Sequence, residues 1–501
     1  MSSQSRREFL ERSMWSAAAA AAATTLGAYA GRTQADESEA PATNSPNEKL
    51  GVALIGAGGR GGESHLPAFA KGLPDTEVLW IVDPDEKRGQ ERVKQAEKLQ
   101  GRAPKFARDM REAFADQAVD IATIATPHHW HSLAAIWAMQ AGKDVYVEKP
   151  VSHNVSEGRR CIEAARKYNK ICQAGTQCRS MPGMREAMDY LRKGEMGQIT
   201  LARGLCYKRR DSIKARGQYP VPEGVDYNLW LGPAPAAPLT RKDLHYNWHW
   251  QWPYGNGDLG NQGVHQMDIA RWGLNEPNVS PRVMSYGGRV GYEDAGDTPN
   301  TQVVMFDYGE KQLIFEVRGL ETSPYKNTQA RVGVIFESKD GRTMVIPSYT
   351  QAIVFDKNGK EEKRFGSLTD EIVHGASHFA NFVKAVRSRK VEELNADIVE
   401  GHVSSALCHL GNISYMLGVP TSLDNIEKGL PAFAGSAGKE TFEATKTHLD
   451  ENDIPLEKLE LQMGPTLDFD PNIEVFVNNP EANKYLSRDR GPFVVPAKDK
   501  V

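Results

Sequence analysis

Cysteine is scarce in this 501-residue chain, which has only Cys161, Cys172, Cys178, Cys206 and Cys408. An odd number without C-x-x-C spacing argues against a disulfide framework or a zinc site and favours buried free thiols. The net charge is only −4, so no strong field draws the protein to nucleic acid or anionic lipid. With 40% hydrophobic and 25% charged residues, the composition is that of a globular protein, and the length predicts two domains with extensions.

The N-terminus also lacks a long apolar run. Ser5-Arg6-Arg7-Glu8-Phe9-Leu10 precedes an alanine-rich stretch, Ala17 to Ala23, that is too short for a good membrane anchor. Twin arginines, a weakly apolar segment and small residues before position 36 resemble a Tat-type export signal, although a chance Arg-Arg in a disordered tail is the alternative. We predict a signal peptide over 1–35, a polar linker over 36–48, and a periplasmic or extracellular protein that meets the Tat export machinery.

Apolar strands alternate with helical stretches between residues 49 and 175. This alternation predicts right-handed β-α-β units on a parallel sheet, which is a Rossmann-like α/β domain. The predicted strands lie at 49–55, 78–82, 119–124, 145–147 and 171–174.

After residue 176 the predicted strands follow one another with few helices between them, at 199–207, 282–290, 301–308, 311–318, 331–337 and 342–354. This pattern predicts an α+β domain over 176–420 with an open, mainly antiparallel sheet, one face of which is free to cover a cofactor. Helical periodicity returns at 370–387 and 397–417, and residues 421–501 form a mixed C-terminal extension.

A glycine loop, Gly56-Ala57-Gly58-Gly59-Arg60-Gly61, connects the first strand to a helix. In this context Gly56 permits a tight turn, Gly58 lets the backbone approach a pyrophosphate, and Gly61 allows close helix packing. The helix N-terminus then faces the phosphates. Asp83 ends the next strand, where a carboxylate accepts hydrogen bonds from ribose hydroxyls and favours NAD over NADP. NADP stays open through Arg60 or Arg88, and a helix cap is the structural alternative for Asp83.

Three further stretches resemble the Gfo/Idh/MocA family of oxidoreductases. They are Thr126-Pro127-His128-His129-Trp130-His131, Glu148-Lys149-Pro150, and Gly-Asp-Leu-Gly-Asn-Gln-Gly-Val-His-Gln-Met-Asp over 257–268. The resemblance implies a Rossmann domain, an α/β domain with an open sheet that often mediates oligomer formation, and hydride transfer between a nicotinamide and a sugar or polyol. It also implies a set of residues at the cofactor site: Thr126, Pro127, His128, His131, Glu148 and Lys149.

The resemblance assigns Lys149 to stabilising an alkoxide and His265 to proton transfer, roles that suit a cation and an imidazole. Asn261 departs from the aspartate that many family members carry at this position; an amide binds a hydroxyl but is not a base. Asp268, on the same helical face as His265, is a candidate to orient it. The histidines at 128, 129 and 131 have no acidic or cysteine partner nearby in sequence, so we expect no metal site.

Two side-chain groups in the second half fit more than one interpretation. The first is an aromatic segment that fits sugar stacking, core packing or a subunit contact: Tyr227, Trp230, Tyr246, Trp248, Trp250, Trp252 and Tyr254. The second is Lys208-Arg209-Arg210, which fits either a solvated loop or a site for an acidic sugar.

Export implies a tightly bound nicotinamide, because no pool of free NAD is expected outside the cytoplasm. The predicted function is therefore an exported NAD(P)-dependent oxidoreductase acting on a secondary alcohol of a sugar, polyol or glycoside. The alternatives are an NAD-dependent glycosidase or lyase that oxidises its sugar transiently, and a non-catalytic protein that binds a sugar or NAD.

Overall fold

The computed structural model describes residues 49–367, 376–488 and 490–501. The predicted signal peptide and linker therefore lie outside the described residues. Two sheets organise the described chain, one parallel and one mixed. The five cysteines are buried and free, as predicted. No helix among the described residues is both long enough and apolar enough to cross a membrane.

The first sheet has six strands in the order β3-β2-β1-β4-β5-β6, and every neighbouring pair is parallel. This confirms the predicted Rossmann sheet. β3 was not predicted, because three residues are too few to show a periodicity. The strands are β1 (Leu50–Ile55), β2 (Thr76–Val82), β3 (Lys105–Ala107), β4 (Ile121–Ile124), β5 (Asp144–Val147) and β6 (Cys172–Ala174).

Helices cover both faces of this sheet. The chain after β1 forms two π-helical segments, Gly61–His65 and Ala68–Gly72. Asp85 caps the next helix by accepting a hydrogen bond from the Arg88 amide, and Asn154 caps a later one in the same way from Glu157. The α-helices are α1 (Glu86–Gln100), α2 (Met110–Ala115), α3 (His128–Gln140) and α4 (Val155–Lys167).

The second sheet follows the order β14-β13-β12-β11-β7-β10-β9-β8-β16-β15, and β17 pairs with both β8 and β18. Of these neighbours, only β7 and β10 run parallel, which confirms an open, mainly antiparallel sheet. The strands are β7 (Ile199–Tyr207), β8 (Arg282–Gly288), β9 (Thr301–Asp307), β10 (Gln312–Arg318), β11 (Val332–Ser338), β12 (Thr343–Ile346), β13 (Gln351–Phe355), β14 (Glu361–Gly366), β15 (Val419–Ser422), β16 (Glu460–Met463), β17 (Leu467–Asp470) and β18 (Val475–Phe476).

The C-terminal half supplies nine α-helices within the described residues. They are α5 (Pro182–Arg192), α6 (Tyr227–Leu231), α7 (Gly257–Asn261), α8 (Gly263–Leu274), α9 (Ala376–Ser388), α10 (Ile398–Met416), α11 (Leu423–Gly429), α12 (Gly435–Asp450) and α13 (Pro480–Asn483). Helices α5, α8 and α10 share a core with one face of the second sheet. Helix α9 instead returns to the Rossmann domain, where Phe379 and Phe382 pack with Leu54 and Tyr146.

The C-terminal extension covers the other face of the second sheet. Helices α11 and α12 contribute Ile426, Phe442 and Leu449 to a core that includes Tyr286 and Met305 of the sheet. Strands β15 and β16 lengthen the same sheet beside β8. The residues beyond 420 thus cover this face, and helices α5, α8 and α10 cover the other, so the expectation that one face is free is wrong.

Candidate active site

The glycine loop requires glycine at its two ends. Gly56 has a φ of +91°, and a Cβ atom on Gly61 would lie 1.9 Å from the Gly56 carbonyl oxygen. A Cβ atom on Gly59 would meet nothing within 4 Å, and one on Gly58 would meet only the Arg88 guanidinium at 3.5 Å. The surface at these two glycines is therefore free for a phosphate group, as the fingerprint requires.

Asp83 ties the glycine loop to the end of β2. Its carboxylate accepts hydrogen bonds from the Ala57 amide at 2.8 Å and the Asp85 amide at 2.9 Å. Burial raises its pKa to about 6. The alternative role as a helix cap is wrong, because Asp85 caps α1. Asp83 therefore lies directly behind the glycine loop, and its contact with the ribose stays a prediction.

Glu148 is the centre of a buried network behind the loop. Its Oε1 atom accepts from Arg60 Nε at 2.7 Å and lies 3.1 Å from His65 Nε2, while His65 Nδ1 lies 2.5 Å from the Thr123 hydroxyl. Burial alone would raise the pKa of Glu148, but the Arg60 charge and the His65 hydrogen bond hold it well below its usual range. Arg60 therefore neutralises Glu148 and contacts Ser64, so its guanidinium is directed to the protein.

Lys149 reaches across to the second domain. Its Nζ atom donates a hydrogen bond to the main-chain carbonyl of Asn261 at 2.8 Å. Burial lowers the Lys149 pKa to about 8, and Glu148 opposes that shift. Because the main chain of Asn261 makes this contact, the departure from aspartate at that position leaves it unchanged.

His265 lies on α8, in the segment that follows the Lys149 contact. Its Nδ1 atom is buried and makes no hydrogen bond with a described residue, and its ring lies 5.2 Å from that of Tyr349. Burial and the Lys149 charge hold its pKa well below the usual range, so the ring is neutral.

Asp268 does not orient His265, and that expectation is wrong. Its carboxylate accepts two hydrogen bonds from Arg179, at 2.8 and 2.9 Å, and one from Ser404 at 2.7 Å. A buried arginine with bidentate geometry is a stronger partner than an imidazole on the same helix.

The histidines at the start of α3 have separate roles. Both ring nitrogens of His131 lie against carbonyl oxygens, Pro150 at 2.6 Å and Thr126 at 2.8 Å, which ties the Thr126-Pro127 turn to the loop after β5. His129 contacts the carbonyl of Trp230. His128 is buried beside Trp248 and His249, and its Nδ1 makes no hydrogen bond within the described chain. Across the described ranges, no three histidine, cysteine or acidic residues are grouped to hold a metal ion.

Some side chains of the aromatic segment only pack in the core, whereas another also faces the histidines of the candidate site. Trp230 and Tyr254 pack against His129 with ring centroids 5.3 and 5.5 Å away, so they are core residues. Trp248 belongs to the same buried cluster, but its ring also stacks on His249 at 3.6 Å and faces His128. The sequence pattern alone does not distinguish these two roles.

A segment of the second domain crosses the end of β2. Val225 forms a β-bridge with Asp85, the Asp226 amide donates to the Pro84 carbonyl at 2.9 Å, and His245 Nε2 lies 2.9 Å from Asp85 Oδ2. This crossing lies beside Asp83, at the predicted ribose position. The second domain is therefore joined directly to the loop between β2 and α1.

Two family models match the chain in succession. The model of the oxidoreductase family with an NAD-binding Rossmann fold covers residues 50–176, and that of the C-terminal alpha/beta domain covers residues 199–339. Together they match more than half of the chain. The chain belongs to the Gfo/Idh/MocA family. Its N-terminal domain is accordingly an NAD-binding Rossmann domain.

Curated Gfo/Idh/MocA relatives include sugar and polyol dehydrogenases. A levoglucosan dehydrogenase of Pseudarthrobacter phenanthrenivorans is 27% identical over 248 residues, covering 48% of this chain and 54% of that protein. An inositol 2-dehydrogenase of Corynebacterium glutamicum is 29% identical over 160 residues, covering 32% of this chain and 46% of that protein. The chain thus spans about half the length of these relatives.

Solved structures share the fold at low identity. An oxidoreductase of Thermotoga maritima matches with a TM-score of 0.55 and 16% identity, covering 73% of this chain and 96% of that one. A levoglucosan dehydrogenase in complex with NADH and levoglucosan matches with a TM-score of 0.53 and 17% identity, covering 72% and 95%.

Several residues around the Gfo/Idh/MocA site were missed in the sequence. His65 and Thr123 bond to each other in the network behind Glu148, and Gln262 donates to the Tyr349 hydroxyl at 2.5 Å. His249 lies among the aromatic residues of this segment and was not predicted as a site residue. No local pattern marks the other residues, because their partners lie far away in the chain.

Proposed function

We propose that this protein is an exported NAD-dependent oxidoreductase that acts on a secondary alcohol of a sugar, polyol or glycoside. The observation that carries the proposal is the contact of Lys149 with the Asn261 carbonyl. It brings the buried ammonium group to the segment that leads into the helix with His265. The names of the curated relatives support a carbohydrate as the substrate class.

Lys149 and His265 have different roles in the proposed reaction. NAD, held at the glycine loop and Asp83, supplies the hydride acceptor. The neutral His265 imidazole accepts the proton of the substrate hydroxyl. The Lys149 ammonium stabilises the negative charge that develops on that oxygen. Glu148, held ionised by Arg60 and His65, favours the protonated form of Lys149.

We also propose that the cofactor stays bound between turnovers. The β-bridge between Asp85 and Val225 and the His245–Asp85 contact close the second domain over the end of β2. Release of the nucleotide would require these contacts to open. Retention suits a protein that carries a Tat-type sequence, since Tat exports folded proteins.

The test begins with the mature protein as purified. After denaturation, mass spectrometry should detect a nicotinamide nucleotide in near-stoichiometric amount. In the native protein, at least one sugar of a test panel should reduce the bound nicotinamide. Lys149→Ala should slow that reduction by about 10²-fold or more, because charge stabilisation is lost. Lys98→Ala, an exposed position on α1, is the matched control. Protein without nucleotide would refute retention, and full activity of Lys149→Ala would refute the catalytic assignment.

A further inference from the structure

The ionic groups around Lys149 are not balanced. Two buried carboxylates lie in this region, and each is matched by an arginine. Glu148 accepts from Arg60 Nε at 2.7 Å, and Asp258 accepts from Arg210 at 2.7 to 3.1 Å through both of its oxygens. Each carboxylate thus has an arginine as its partner, and among the described residues Lys149 itself forms no ion pair, although Glu148 still favours its protonated form.

Lys208 adds a second cation at the same site. It directly follows β7, and its Nζ atom donates to the side-chain oxygen of Gln262 at 3.2 Å. Gln262 in turn bonds to Tyr349, whose ring lies beside that of His265. Within the described ranges, no carboxylate lies at ion-pair distance from Lys208, whose hydrogen-bond acceptor is a neutral amide.

The neighbouring residue on the same loop behaves differently. Arg209 lies 3.6 Å from Glu321 and 3.9 Å from Asp211, and its side chain is 66% exposed. Within the basic cluster, Arg210 is thus paired with Asp258 and Arg209 lies near two carboxylates. Lys208 is exposed like Arg209, but it contacts the site through Gln262.

An anionic group on the substrate would balance this charge. Lys149, Lys208 and the positive ring of oxidised nicotinamide would otherwise place three positive charges near one another. The anion is better matched by a carboxylate than by a phosphate, because the helix start here offers no row of free amide groups. Helix α8 continues from α7, with the Gln262 amide bonded to Asp258 and the His265 amide to Gln262.

We propose that the substrate is an acidic sugar, and that Lys208 binds its carboxylate while Lys149 and His265 act on a hydroxyl. This inference rests on the proposed function and names the substrate class for the same site. Lys208 is then a specificity residue, with no part in proton or hydride transfer.

The test compares acid and neutral sugars as matched pairs: glucuronate with glucose, galacturonate with galactose, and gluconate with glucitol. Reduction of the bound nicotinamide gives KM and kcat for each. We expect the acids to have KM values about fivefold to tenfold lower, with the advantage falling as salt rises. Lys208→Gln should abolish that advantage with little change in kcat, and Lys208→Arg should largely restore it. Arg209→Gln is the matched control and should leave both members of each pair unchanged.

A second measurement separates binding from turnover. Titration of glucuronate into Lys149→Ala protein by calorimetry should show affinity that the added Lys208→Gln change weakens by a similar factor. Equal KM values for acid and neutral sugars, or equal effects of Lys208→Gln on both, would overturn the acidic-substrate inference and leave the proposed function standing. If no sugar of either kind reduces the nicotinamide, the proposed function itself fails.

Discussion

Lys149 shows at the scale of one residue how function conflicts with stability. Its ammonium is buried, and its pKa of about 8 in the fold compares with 10.5 in an unfolded chain. Because its pKa is lowered in the fold, the protonated Lys149 destabilises the folded state relative to the unfolded chain. This destabilisation has its full size below pH 8, becomes smaller as the pH rises from 8 to 10.5, and disappears above that range.

Replacing Lys149 with methionine should therefore stabilise the fold while it slows turnover as Lys149→Ala does. At pH 7 we expect a gain of about 1 to 3 kcal/mol in the free energy of unfolding, since loss of the hydrogen bond to Asn261 offsets part of the relief. Urea unfolding at pH 7 and pH 10.5, at equal cofactor occupancy, measures the gain, which should shrink at the higher pH. A variant less stable than the parent at pH 7 would contradict the burial cost.

Among the structural elements, Arg488 holds the aromatic segment of the second domain against the Rossmann helices. Arg488 donates to Glu157 Oε1 of α4 at 3.1 Å, to the Pro253 carbonyl at 2.9 Å and to the His129 carbonyl at 3.2 Å. Glu157 is itself buried. One guanidinium thus joins α4, α3 and the aromatic segment.

Arg488→Met should destabilise the protein by about 3 kcal/mol or more, because it leaves the Glu157 carboxylate buried without its cation. Adding Glu157→Gln should recover part of that loss, which a double-mutant cycle by thermal unfolding would reveal. We further expect KM for the sugar to rise more than kcat falls, since Arg488 positions the segment without touching the reacting atoms. Additive effects of the two substitutions would argue against the pairing.

The elements that could be predicted from sequence are those with local signals. The strand, glycine loop and Asp83 follow one another along the chain, and the strand alternation gives the sheet. The Arg60–Glu148 and Arg210–Asp258 pairs join positions from distant segments, so no periodicity reveals them. The apolar run at 342–354 reads as one strand, yet it folds as β12 and β13 around a turn. Helix α9 was expected from its pattern, but its packing against the Rossmann sheet depends on tertiary structure.

At the scale of the whole molecule, the extension covers a sheet face that family resemblance assigns to subunit contacts. Phe442 of α12 packs against Tyr286 of β8 with ring centroids 5.9 Å apart, among the apolar residues of that face. A second copy cannot dock on this face unless α11 and α12 move. We therefore expect any oligomer of this protein to use another surface.

Phe442→Asp should release α12 and expose the apolar face. Loss of the buried ring costs about 3 to 5 kcal/mol, and the exposed sheet should then self-associate. Light scattering after size-exclusion chromatography would record a larger mass for this variant than for the parent, and Glu443→Gln, an exposed neighbour, is the control. If the variant had the mass of the parent and a fully folded extension, α12 would not be what prevents self-association through this sheet face.

The packing of Phe493 also bears on how the Rossmann domain forms during synthesis. Phe493 packs edge-on against Trp130 at 5.4 Å and joins the core on one side of the Rossmann sheet. The strands of that sheet are translated well before Phe493, yet this part of their core needs its ring. Ribosome-bound chains that have not reached position 493 should therefore hold the Rossmann domain with an incomplete core.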